Sequence, residues 1–97
     1  MESVALDTKK ALCIMQLTEE LPVLRVRIGL SQEDVANRIG VTRQTYNAIE
    51  SKRRPMTWNT CVSLMTLFNS HEKTRKMMQS SSWCCEILDE IMCDAGR

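Results

Sequence analysis

The feature that most restricts what this chain can fold into is residues 31–51, SQEDVANRIGVTRQTYNAIES, which reads as two short helices joined by a glycine turn. Ser31 is followed three residues on by Asp34. That is the spacing at which a hydroxyl accepts from a free backbone N–H while the carboxylate reaches back to the cap. Val35, Ala36 and Ile39 then give a buried stripe. Gly40 can take positive φ at no steric cost and so stops the helix. Val41 fills the turn, and Thr42 caps a second helix whose Tyr46 and Ile49 point inward. Arg43, Gln44, Asn47 and Ala48 are thereby left on the outer face. Two helices at a short, glycine-containing turn match the arrangement that lays its second helix in a major groove of duplex DNA.

Elsewhere the chain supplies little that contradicts this. Of 97 residues, 43 % are apolar and 26 % charged, as in a globular domain with one core. Four aromatic residues, Tyr46, Trp58, Phe68 and Trp83, leave most of that core to aliphatic side chains, and seven methionines suit irregular gaps between helices. Two prolines and three glycines are too few for many turns, so an all-α protein is expected.

The net charge of +1 is unevenly spread. Residues 1–24 carry −2, residues 25–54 carry +4 and residues 55–97 carry −1. Positive charge therefore collects on the two-helix stretch and on Lys52-Arg53-Arg54 behind it, where phosphate contact requires it.

The segment Leu24-Arg25, Ile28-Gly29-Leu30-Ser31-Gln32-Glu33-Asp34-Val35-Ala36, Gly40-Val41-Thr42-Arg43-Gln44-Thr45 and Ile49-Glu50 closely resembles the lambda-repressor-like (Cro/cI, or XRE) family over about residues 21–69. The resemblance implies a five-helix domain that binds operator DNA, usually as a dimer. It also implies that Gln32, opening the first motif helix, binds a phosphate oxygen with help from the helix N-terminal amides. The terminal extensions and the basic insert depart from the minimal family pattern.

In chain order, residues 1–17 form an N-terminal extension in which Leu6, Leu12, Cys13 and Leu17 would share one face of a helix, although ALCIMQL also suits a strand. A helix beginning near Thr18 or Glu20, with Pro22 close to its start, runs to Ile28 and buries Leu21, Leu24 and Ile28. Residues 18–79 make up the DNA-binding domain. Pro55 ends the second motif helix and its basic exit loop, and Thr57 caps a helix from Trp58 to Phe68 with Trp58, Cys61, Val62, Met65 and Phe68 inward. A further helix from about His71 to Gln79 presents Met77 and Met78 to the core. Residues 80–97 supply one extra amphipathic helix, with Trp83, Ile87 and Ile91 in line. Its apolar face either folds back on the domain or pairs with its twin in a second subunit.

The chemistry expected of these residues is recognition. A guanidinium or a side-chain amide makes paired hydrogen bonds to base edges, so Arg43 suits guanine, and Gln44 or Asn47 suits adenine. Gln32, Thr42, Thr45, Lys52, Arg53 and Arg54 would hold the DNA backbone, Thr42 being needed equally as a cap. Arg25 and Arg38, taken singly, read as solvated surface. Trp58 reads as packing beneath the basic loop sooner than stacking on a sugar. Cys13, Cys61, Cys84, Cys85 and Cys93 form no Cys-x-x-Cys pair and have no histidine at metal spacing. Packing in a reducing compartment is their first reading, with redox sensing by Cys84-Cys85 as the other.

No cofactor and no metal are expected, and lone His71 lacks partners for catalysis, so an enzyme is not expected. ALCIMQL is too short for a leader or a membrane span. A cytoplasmic homodimer on double-stranded DNA, acting as a transcriptional regulator and most simply as a repressor at a palindromic operator, is the leading expectation. The rivals are the antitoxin of a toxin-antitoxin pair, with a toxin as its partner, and a helical adaptor that has lost DNA binding.

Overall fold

The computed structural model describes residues 2–81, with side chains described for 8–78. Five helices follow one another: α1 (Glu2–Arg27), α2 (Gln32–Ile39), α3 (Arg43–Glu50), α4 (Trp58–Asn69) and α5 (Glu72–Ser81). No strand occurs among the described residues. The expected all-helical, five-helix architecture is therefore what the described residues adopt. The helix expected over residues 83–93, and the Cys84-Cys85 pair within it, lie outside the described residues.

The largest departure from expectation is at the N-terminus, where one 26-residue helix replaces a helix starting near Thr18. Proline inside a helix removes a backbone hydrogen bond and crowds the preceding turn, at a cost of about 3 kcal/mol. Pro22 is nevertheless interior to α1. Burial explains why. Cys13, Leu17, Leu21 and Leu24, spaced 4, 4 and 3 residues apart, are all buried and run across the proline as one stripe. Each such leucine contributes about 1.5 to 3 kcal/mol, so packing outweighs the break. Leu12, expected on that inward face, instead points outward, as do Met15, Val23 and Val26.

The motif helices are set by local chemistry. Ser31 Oγ accepts from the Asp34 N–H at 3.0 Å, and the Asp34 carboxylate accepts from the Ser31 N–H at 3.1 Å. That second bond is the main reason the Asp34 carboxyl is held below its ordinary range. Gly40, at φ +80°, closes α2 with its own N–H and that of Val41 both directed at Ala36 O. Thr42 and Thr57 cap α3 and α4 through Thr45 N–H at 3.1 Å and Thr60 N–H at 3.2 Å.

One core joins the five helices. Val35 and Ala36 of α2, Tyr46 and Ile49 of α3, and Cys61, Leu64, Met65 and Phe68 of α4 meet the α1 stripe, with Met56 sealing the loop between α3 and α4. Helix α4 packs on α1, α2 and α5. The buried Thr74 hydroxyl of α5 donates to Phe68 O, a carbonyl at the end of α4 that also accepts from the His71 N–H at 3.4 Å. Met78 is buried and Met77 partly so, against the same core. Cys13 and Cys61 are buried thiols, and burial pushes the Cys61 thiol up to about 12, so it stays protonated and packs as a small apolar group.

Candidate nucleic-acid interface

Three short segments bring the site together: the start of α2, the outer face of α3 and the loop that leaves it. Behind them is an ion pair that spacing alone does not show. Arg25 of α1 donates from Nε to Glu50 Oε1 at 2.8 Å and from an Nη to Glu50 Oε2 at 3.3 Å, while its other Nη reaches Leu30 O at 3.1 Å. Arg25 is therefore not solvated surface; it fastens α1 to the end of α3. The Glu50 side chain is only 8 % exposed.

Glu50 is the hub of three elements, α1, α2 and α3. Burial raises its pKa, but Arg25, the Gln32 amide and the Tyr46 hydroxyl all favour its charged form, and the outcome is a carboxyl held below its ordinary value. The Tyr46 hydroxyl donates to Glu50 Oε1 at 3.1 Å, and burial followed by the nearby carboxylate pushes that phenol well above its usual range.

From Glu50 the hydrogen bonds continue to the surface. Gln32 donates through Nε2 to Glu50 and accepts through Oε1 from Asn47 Nδ2 at 2.9 Å. Asn47 Oδ1 in turn accepts from Arg53 Nη2 at 2.6 Å, and Arg53 Nε donates to Ser51 Oγ at 3.1 Å. Both Gln32 and Asn47 are thus engaged at each end of the amide and fixed in orientation. Each amide keeps one spare N–H and a spare oxygen lone pair for a ligand.

Arg43 and Gln44 stand differently. Both are exposed in the first turn of α3, and neither makes a hydrogen bond or ion pair with a described residue. With Asn47, Ala48 and Arg53 they line a recess of about 410 Å³ on the outer face of α3. Thr42 and Thr45 lie beside it, the Thr42 hydroxyl donating to Thr45 Oγ1 at 2.9 Å while capping the helix. Thr45 keeps its hydroxyl proton for another acceptor.

The exit loop holds the remaining cations. Lys52 is left-handed at φ +67°, a conformation that favours glycine, and this lets the Lys52 N–H bond Ile49 O at 3.1 Å and the Arg53 N–H bond Ala48 O at 2.9 Å. Its ammonium sits 2.7 Å from Glu19 of α1, with both side chains exposed. Arg54 is exposed; its N–H bonds Ala48 O at 3.1 Å, and its side chain has no partner among the described residues. Trp58, at the start of α4, is partly buried and lies beneath the Lys10 ammonium, 5.4 Å from its ring centroid, so one ring face is occupied.

Among the described residues no three His, Cys, Asp or Glu side chains are grouped as a metal would need, and no helix is long and apolar enough to cross a membrane. Two capped helices at a left-handed glycine, carrying unpaired polar tips on the second and cations at its exit, define a helix-turn-helix DNA-binding domain. A family model described as Helix-turn-helix matches residues 24–69, and over this segment the chain is similar to the Cro/cI-like, XRE-type helix-turn-helix DNA-binding regulators. No curated protein and no solved structure matches the chain.

Proposed function

We propose that the protein is a sequence-specific transcriptional regulator, a cytoplasmic repressor that reads a palindromic operator as a homodimer with α3 in the major groove. The observation that carries this reading is the pair Arg43 and Gln44, exposed and with no side-chain partner among the described residues, at the head of a helix whose other end is fastened to the core. Arg43 makes the bidentate contact to a guanine, and Gln44 pairs with an adjacent adenine. Asn47 reads a third base with the hydrogen-bonding positions that Gln32 and Arg53 leave open.

Backbone contacts surround these three. Gln32 offers its remaining N–H to a phosphate beside the start of α2, and the Thr42 and Thr45 hydroxyls lie next to it. Lys52, Arg53 and Arg54 grip the strand at the far end of α3. The Glu19 pair does not prevent this, because an exposed ion pair is worth about 0 to 1 kcal/mol and a phosphate competes with it.

Selection of bound duplexes from a random pool tests the reading directly. A single enriched, two-fold symmetric sequence whose affinity falls steeply as salt rises is the expected result. Failure to enrich any sequence would remove DNA reading and leave a helical adaptor.

A further inference from the structure

Among the described residues four large apolar side chains stand exposed, and all are on α1: Leu12 at 45 %, Met15 at 60 %, Val23 at 53 % and Val26 at 66 %. At 3.6 residues per turn they fall on one line, with Glu19 at its midpoint. Buried Cys13, Leu17, Leu21 and Leu24 occupy a different face of the helix, so this line lies outside the core formed by the described residues. A sustained apolar seam with spacings of 3 and 4 is what one helix presents to another.

The spacing also indicates the partner. Reading 12, 15, 19, 23, 26, the intervals are 3, 4, 4 and 3, the same in both directions. Laid antiparallel against a second α1 with the two Glu19 positions on the axis, Leu12 falls opposite Val26 and Met15 opposite Val23. This is the self-complementarity that a two-fold interface requires. In the chain free of DNA the one charge on the line is neutralised, since Glu19 is 2.7 Å from the Lys52 ammonium. Two such pairs meeting at the axis put each carboxylate within reach of an ammonium from either copy.

From this register and this charge pairing we propose that the outer line of α1 is the surface through which two copies of the chain pair, antiparallel and centred on Glu19. The inference rests on the homodimer reading above and gives that dimer its interface. A lone helix pair buries less than the roughly 800 Å² per partner of a standard interface, so the dimer is weak alone and is completed on DNA carrying two half-sites.

Sedimentation equilibrium of the full chain without DNA tests it, with Leu12→Lys, Val26→Glu and the double variant. Lysine and glutamate are good helix formers and both positions are exposed, so circular dichroism should show unchanged helix content. Each single variant sets an unpaired charge against an apolar partner and should weaken dimerisation about tenfold or more. The double variant brings the introduced lysine opposite the introduced glutamate only across the axis, because within one chain the two positions are about 21 Å apart at 1.5 Å per residue. It should recover most of the lost association. A chain that is monomeric at all concentrations, singles that remain dimeric, or a double variant as weak as the singles would each overturn the proposal. If Ile87→Asp dissociates the dimer and the α1 variants do not, the C-terminal segment is the interface. Because these readouts contain no DNA, dimerisation with no enriched operator would refute the DNA reading and leave the α1 interface standing.

Discussion

The two ends of α3 are built on opposite principles. At its head, Arg43 and Gln44 are exposed, and their side chains bond no described residue. Toward its tail, Asn47 and Glu50 are held by Gln32, Arg53, Arg25 and Tyr46, each polar atom given a partner. The tail fixes where the helix points, and the head leaves exposed the groups proposed to meet base edges. Rigid placement costs side-chain entropy once, during folding, so less remains to be lost on binding.

The sharpest way to break this contrast is to remove the hub. Glu50→Ala strands Arg25 in a site it shares with Leu30 O, and loss of one partner of a buried pair costs about 3 to 5 kcal/mol. Chemical denaturation should show that loss, whereas an unchanged midpoint would mean that the network is ornamental. The same carboxylate gives a pH signature. Because its folded pKa lies below the ordinary value of 4.5, its contribution is complete above 4.5 and is lost as the pH falls below it through the folded value. Stability should drop on acidification in the parent chain, and this component of the slope should vanish in Glu50→Gln.

Next in size is Gly40→Val. At φ +80° a β-branched residue is strained even though open space surrounds the position, and the cost should be about 1 to 3 kcal/mol of folding stability. The loss should appear in thermal unfolding without a change in which sequence is preferred.

At the head of α3 the expected effects move from folding to recognition. Arg43→Ala should leave the melting temperature in place and relax preference at one base position, costing about 1 to 3 kcal/mol of discrimination there. Equal loss on every duplex would move Arg43 to the backbone-contacting set. Arg54→Ala should show the reverse pattern, weakening all duplexes alike and lowering the salt slope by about 1.

The smallest effect concerns the closure of α3. Lys52→Gly should relieve left-handed strain of about 1 to 2 kcal/mol while freeing the unfolded chain by about 0.5 to 1 kcal/mol. The net is a slightly more stable protein. It should nevertheless bind DNA less tightly, as a titration of both quantities would show.

What was legible in the sequence follows the same division. The Ser31–Asp34 box, the Thr42 and Thr57 caps and the Gly40 stop are all decided within four residues of chain, and each stands as the spacing indicates. The inward Tyr46 and Ile49 follow from helical period and are buried. Pro22 misled because a breaker rule is local, whereas the stripe that overrides it extends from Cys13 to Leu24. The Arg25–Glu50 pair was illegible for the complementary reason: the partners are 25 residues apart, and opposite charges at that distance carry no periodic signal. The engagement of Asn47 depends on Gln32 and Arg53, which come from two other segments. The residues proposed for the site were thus visible one by one, but not the bonds that hold two of them in place.

The left-handed backbone at Lys52 has a geometric consequence for the charge it carries. A residue in that conformation sends its side chain away from the course set by the residues on either side, so the ammonium emerges where the main chain turns rather than along the helix flank. Its location is therefore written into a backbone angle, and a lysine shifted to position 51 or 53 would lift its charge off the surface at another point.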